Sequence, residues 1–291
     1  MTHTKKPFPE LDLFSDSFTE DELSAFLEWY SETHGEGSAD LTPFVTFLVQ
    51  HDPGSFKRFR RYVQSMIDWP GQDMLPRAAS PLIWLHHYFR VGNGPGSAYE
   101  TIAARSFGAS KDLVLDVLRV ALATSGPIGW NGAAGHLDQY LREWEDAPVG
   151  SVEWPEGWHV DRAALRSGID LESDGMTDEE HEILANWYRR VCGEVPTGVT
   201  VLAEHNPRGL KAYRNRIEKS LGEALPVEMA VLLMLHSAAM GSSSSRMRRA
   251  RAAAAHFGVE ERHVVEVLGW ATINSSTLSA LGDVVDASDP S

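Results

Sequence analysis

Between Ser110 and Gly126 the apolar residues Leu113, Val114, Val117, Leu118, Ala121 and Leu122 recur at i, i+3 and i+4, the period of a helix with one face toward a core. Gly126 and Pro127 then supply a stop signal. The pattern returns later in the chain as Val264, Val267, Leu268 and Ala271. Residues 76–91 and 226–240 are apolar on nearly every side, which predicts helices buried inside a bundle rather than lying on its surface. No stretch offers the period-2 alternation of a strand, so the pattern as a whole predicts an all-α fold.

The pattern also repeats. Leu75-Pro76 matches Leu225-Pro226, the run Leu82 to His86 matches Leu232 to His236, and Phe107-Gly108 matches Phe257-Gly258, all at an offset of 150 residues. Upstream, His51-Asp52-Pro53 pairs with His205-Asn206-Pro207 at an offset of 154, and Trp29-Tyr30 with Trp187-Tyr188 at 158. Small insertions in loops account for the drift. Each half opens with a T-x-x-E capping box, Thr19 with Glu22 and Thr177 with Glu180, so both begin with the same helix. The expected organisation is a first helical repeat over 1–150, a connector over 151–175 rich in Pro, Gly and acids, and a second helical repeat over 176–291. Residues 137–144 continue a last helix of the first repeat.

Composition narrows the partners. The chain of 291 residues is 43% hydrophobic, enough to bury a real core, and its formal net charge of −15 repels phosphate backbones, which argues against nucleic acid. No apolar run is long enough to span a bilayer and the N-terminus carries no leader-like stretch, so a cytoplasmic protein without a membrane partner is expected. Cys192 is the only cysteine, which excludes an intrachain disulfide, a C-x-x-C redox pair and a thiolate zinc site. Placed between Val191 and Gly193 at a predicted helix end, with no basic partner suggested for its thiol, it reads as a small, semi-buried apolar residue.

The order within each half is a capped helix, a His-x-Pro step, a Leu-Pro-started apolar helix, a small-residue turn, a helix ending in Ala-x-x-x-Gly and an amphipathic helix. Over residues 18–127 and 176–277 that order resembles the alkylhydroperoxidase D-like and carboxymuconolactone-decarboxylase superfamily. The resemblance implies two tandem helical repeats forming a pseudo-dimer, and a protein that assembles into a homo-oligomer. The family's C-x-x-C-x-x-x-H motif, which ends eight residues before the glycine, is absent from both halves. Counting back from Gly108 places Glu100 at the histidine and Gly96 and Asn93 at the cysteines, and from Gly258 the same positions hold Ala250, Arg246 and Ser243. The relay acid that follows the Leu-Pro step is replaced by Pro81 and Val231. A thiol peroxidase would therefore lack nucleophile, base and relay together. The decarboxylase branch needs no cysteine pair, though it too uses the histidine that Glu100 replaces.

The candidate residues follow from these positions. Glu100 is a general acid or base if its pocket raises its pKa, and an ordinary solvated glutamate near a helix start if it does not. His86 and His236 occupy equivalent places, but at about 100° per residue His86 points away from the family's relay face, so the pair reads as structural and no metal is expected. Tyr88 returns to that face and joins Glu100 as a catalytic candidate. For substrate binding the candidates are Tyr99 beside Glu100, Trp130 in the glycine-rich stretch 126–132, and Ser243 and Arg246 in 241–251, a segment whose serines and four arginines suit an anion at a helix start. Gly94, Pro95 and Gly96 read as a small, bare entry loop. Together these residues predict a cofactor-independent enzyme, a decarboxylase, lyase or isomerase transferring protons on a small anionic organic molecule. The alternative is a non-catalytic binding or structural protein whose two sites have decayed, as Ala250 opposite Glu100 suggests.

Overall fold

The computed structural model describes residues 9–34, 43–67, 75–146, 149–241 and 243–275. Pro148, at the end of the first expected repeat, and Ser242 of the basic segment lie outside the described residues. Among the described residues there are thirteen helices and no strand. They are α1 (Glu20–His34), α2 (Pro43–His51), α3 (Pro53–Ile67), α4 (Ala79–Val91), α5 (Gly94–Ser106), α6 (Lys111–Ser125), α7 (Ile128–Arg142), α8 (Asp178–Cys192), α9 (Thr197–His205), α10 (Pro207–Glu218), α11 (Val227–Met240), α12 (Ser244–His256) and α13 (Glu261–Ser275). The all-α expectation holds, and no helix among the described residues is long and apolar enough to cross a membrane. Backbone contacts divide the chain into two compact units, Met1–Val114 with Gly126–Pro155, and Leu115–Ser125 with Glu156–Ser291.

In the first unit α1 starts at the expected capping box. Thr19 Oγ1 accepts the Glu22 N–H (3.2 Å) and Glu22 Oε2 accepts the Thr19 N–H (2.9 Å). The same carboxylate accepts the Asp12 N–H (2.7 Å) and holds the ammonium of Lys57 from α3 at 3.1 Å. Lys57 has no exposed surface, and its third partner is the Ser17 carbonyl at 2.7 Å. Hydrogen bonds from the Thr19 backbone outweigh the other influences and hold the Glu22 carboxyl down at about 2. Over this polar knot lies an aromatic core of Phe26, Tyr30 and Phe56, with Phe26 and Phe56 edge to face at 4.9 Å.

α4 and α7 approach each other backbone to backbone. Gly92 closes α4 at φ 77°, and a Cβ on Gly129 would collide with the Phe89 and Arg90 carbonyls, while one on Gly132 would strike the Gly92 carbonyl. α4 is buried on nearly all sides, as its uniformly apolar sequence predicts.

The second unit starts α8 in the same manner. Thr177 and Glu180 form a reciprocal capping box, Glu180 Oε1 accepts the Asp170 N–H at 3.1 Å, and Lys211 of α10, 1% exposed, reaches that oxygen at 2.8 Å and Ser173 Oγ at 2.6 Å. α11 is the core helix, with twelve of its fourteen residues buried. The segment 156–175 packs down onto this unit: the Val227 N–H donates to the His159 carbonyl (3.2 Å), His159 Nδ1 meets the buried Glu228 at 2.9 Å, and Trp158 sets its ring edge-on to His263. Asp116, fully buried, accepts the Ala224 and Leu225 N–H groups (2.9 and 3.2 Å) and pairs with Arg119. It thereby fixes the turn that leads into α11.

Two outcomes test these constraints. Glu22→Gln strands the buried Lys57 charge and should lower stability by about 3 kcal/mol, whereas adding Lys57→Met should restore much of that loss; chemical denaturation of the two variants checks the sign. Gly129→Ala should disrupt the α4–α7 contact severely, while Gly135→Ala on the same helix, where a Cβ meets nothing within 4 Å, should raise stability by about 0.5–1 kcal/mol. Equal effects of the two would contradict the close approach.

Candidate active site

The first unit places Glu100 through a compact corner. Asn93 N-caps α5, its Oδ1 accepting the Gly96 N–H at 3.0 Å, so Gly94-Pro95-Gly96 is the first helical turn and not the loop that its composition suggests. Glycine is needed there because a Cβ on Gly94 would strike His136 of α7, and one on Gly96 would lie 2.8 Å from the Tyr88 ring. α5 is thereby pressed against α4 and α7. On its inner side Ser97 and Thr101 turn their hydroxyls onto backbone carbonyls one turn back, at 2.8 Å each. Glu100 lies between them, in the middle of the helix.

Glu100 is 8% exposed, and among the described residues none hydrogen-bonds its carboxyl. Burial alone pushes its pKa well above the usual carboxylate range, which favours the protonated acid. Tyr99 beside it stacks on Tyr30 of α1 with ring centroids 6.1 Å apart and an interplanar angle of 20°. Burial, Tyr30 and Glu100 raise the Tyr99 pKa, against a smaller opposing pull from Arg60 of α3. A side-chain hydrogen bond with Tyr30 adds to the rise. Arg60 lies over the Trp29 ring at 5.9 Å. Two phenols and a guanidinium thus share one corner of α1, α3 and α5, with the Glu100 carboxyl within electrostatic reach of Tyr99.

The other candidates are placed differently. Tyr88 is half-buried, stacked on Trp84 at 5.9 Å and set against the first turn of α5. Trp130 packs edge-on against Phe89 at 4.6 Å, and its indole N–H is buried without an acceptor among the described residues. Ser243 and Arg246 belong to the second unit. Ser243 is the N-cap of α12 but accepts no capping hydrogen bond through its side chain, and Arg246 is exposed, with no ion pair among the described residues. Two of the other three arginines of that segment are engaged, Arg249 with Glu194 and Arg251 with Glu261.

His86 and His236 have no exposed surface. Burial, helped by Arg90 and His87, holds the His86 pKa at about 3, so it stays neutral. Among the described residues no cluster of three or more His, Cys, Asp or Glu side chains is arranged to hold a metal. Burial pushes the Cys192 thiol up to about 11 even though Arg214 and Arg249 lie within electrostatic reach, two basic neighbours that its flanking sequence does not reveal.

Sequence reasoning missed Tyr30 and Arg60. The signal was present in the repeat register: Trp29-Tyr30 is already a matched pair, and the offset of 154 carries Arg60 onto Arg214. In the second unit Arg214 lies 4.1 Å over Trp187 and donates to Tyr188, Leu165 and Glu218. The positions matching Tyr99 and Glu100 hold Arg249 and Ala250, so no carboxylic acid stands there.

No family model, curated protein or solved structure matches this chain.

The protonated state of Glu100 has a thermodynamic signature. Above the ordinary carboxyl value the unfolded chain releases this proton while the folded chain keeps it, so the folded state binds more protons and its stability falls as pH rises toward the raised value. Relative to Glu100→Gln, wild type should lose up to about 1.4 kcal/mol per pH unit in that window. Urea unfolding of both proteins between about pH 5 and about pH 8 measures it, and a constant difference would mean an ionised, solvated carboxylate.

Proposed function

We propose that the first unit carries a cofactor-independent proton-transfer site, with Glu100 as general acid, acting on a small anionic organic molecule. The observation that carries this reading is a buried carboxyl without a hydrogen-bond partner among the described residues, its pKa raised by burial, next in sequence to Tyr99 of the hydrogen-bonded Tyr99 and Tyr30 pair. A core that served packing alone would place an apolar residue at that position, because burying a carboxyl without a partner costs free energy. In a decarboxylation the substrate's C–C bond breaks to release CO2, the electron pair stays on the substrate carbon, and the Glu100 proton fills it. The resulting carboxylate regains its proton from water. In an isomerisation the same proton is delivered to one carbon after loss from another. Tyr99 donates a hydrogen bond to the oxygen on which negative charge develops.

The scaffold reading rests on the two unit starts. Capping box, additional backbone N–H and buried lysine recur in one arrangement around Glu22 and around Glu180. That recurrence favours duplication of one helical module and, with the element order, an alkylhydroperoxidase D-like ancestry without its cysteines. An acid at this position in one unit and Ala250 at the matching position in the other confine the proposed chemistry to the first.

The test is turnover of a panel of β-keto and lactone carboxylates in deuterated water, followed by NMR for CO2 loss or deuterium uptake. Wild type should convert at least one member, with kcat falling about 10²-fold or more in Glu100→Gln and less in Tyr99→Phe. Conversion that Glu100→Gln leaves intact would remove Glu100 from the chemistry, and a panel untouched by well-folded wild type would favour a non-catalytic binding protein.

A further inference from the structure

A surface groove of about 1010 Å3 runs through the second unit between the segment 160–172 and the end of α10, remote in sequence from every residue assigned above. Ile169 and Leu221, 7% and 3% exposed, give it an apolar floor. Glu218 also lines it and is 6% exposed. Its two oxygens have unequal surroundings. Oε1 accepts four hydrogen bonds, from the Ser167 N–H and Oγ–H and from Arg214 Nε and Nη2. Oε2 accepts none among the described residues and is not sealed from solvent.

Arg214 cannot turn to serve it. Its Nη1 is held by Tyr188 and its Nη2 by the Leu165 carbonyl, while the guanidinium lies over Trp187 and Tyr188. A carboxylate oxygen anchored this firmly, on a residue that lines the groove, is a pre-positioned acceptor that a donor entering the groove can use in place of water. Around the mouth Arg162 is tied to Glu223 at 2.6 Å. That leaves Asp161, Asp170 and Glu172 against Arg166 and Lys219, so the groove keeps an excess of negative charge.

We propose that this groove binds an organic cation of the alkylammonium or alkylguanidinium class. The N–H donors of the cation reach Glu218 Oε2, and its carbon stem lies along Ile169 and Leu221. The apolar floor selects against hydrated inorganic cations, which gain nothing from it, and the surplus carboxylates disfavour anions. The site is independent of the proton-transfer reading for the first unit.

Agmatine, which carries an ammonium and a guanidinium on a four-carbon stem, is a suitable probe. In a calorimetric or NMR titration at low salt it should bind wild type at millimolar or lower concentration, and sodium ion or acetate at the same concentration should not compete. Glu218→Gln should weaken binding at least about tenfold. Because Glu218 also anchors Arg214, two exposed lining positions provide a check that spares the core: Ala163→Arg should abolish binding, and Glu172→Lys should weaken it several-fold with circular dichroism unchanged. Absence of agmatine binding to wild type, or binding that Ala163→Arg and Glu172→Lys leave unchanged, would overturn the proposal.

Discussion

A fully buried lysine held by a capping-box glutamate organises the start of each unit. Lys57 and Lys211 are removed from water, a cost that only a fixed counter-charge offsets. Glu22 and Glu180 provide it while also closing a helix N-terminus and collecting a backbone N–H from the segment upstream. One carboxylate therefore ties three pieces of chain that are distant in sequence. Helix start, incoming segment and the helix bearing the lysine can only move together, and the aromatic cluster of Phe26, Tyr30 and Phe56 packs on the frame so fixed.

The candidate acid depends on that frame and on a second constraint, the closeness of α4, α5 and α7. Glycines at 94, 129 and 132 remove the side chains that would hold the helices apart. Glu100 itself is largely shielded from water, and that exclusion of water is what raises its pKa. Its chemistry is thus a product of packing: the same glutamate on an exposed turn of the same helix would be an ordinary anion. Tyr99 belongs to both constraints, because it stacks on a residue of α1 and neighbours the acid on α5.

The second unit uses similar residues to another end. Its buried arginine is saturated by Glu218, Tyr188 and a carbonyl, and the corner that corresponds in sequence to Tyr99 and Glu100 is occupied by an ion-paired arginine and an alanine. Polar groups there serve cohesion and shape the wall of a groove. That contrast is why a shared element order says little about shared chemistry: two or three substitutions separate a corner with a buried acid, unpaired among the described residues, from one with an ion pair and an alanine.

Much of the fold was legible in the amino-acid sequence. Apolar periodicity marked α6 and α13, uniform apolarity marked α4 and α11 as interior helices, and T-x-x-E located the starts of α1 and α8, because each of these signals acts within a few turns of one helix. Glu100 could be named from its register, but its two alternative states differ only in burial, which is set by residues on other helices. The same holds for Lys57 and Lys211, whose burial nothing in the flanking sequence signals, for Asp116, whose backbone partners at 224 and 225 lie more than a hundred residues away, and for the 94–96 turn, whose glycines serve a neighbouring helix rather than a loop. Local pattern determined which segments are helices and where they begin; only the tertiary structure decided which charged groups lose their water, because desolvation depends on what distant parts of the chain bring alongside.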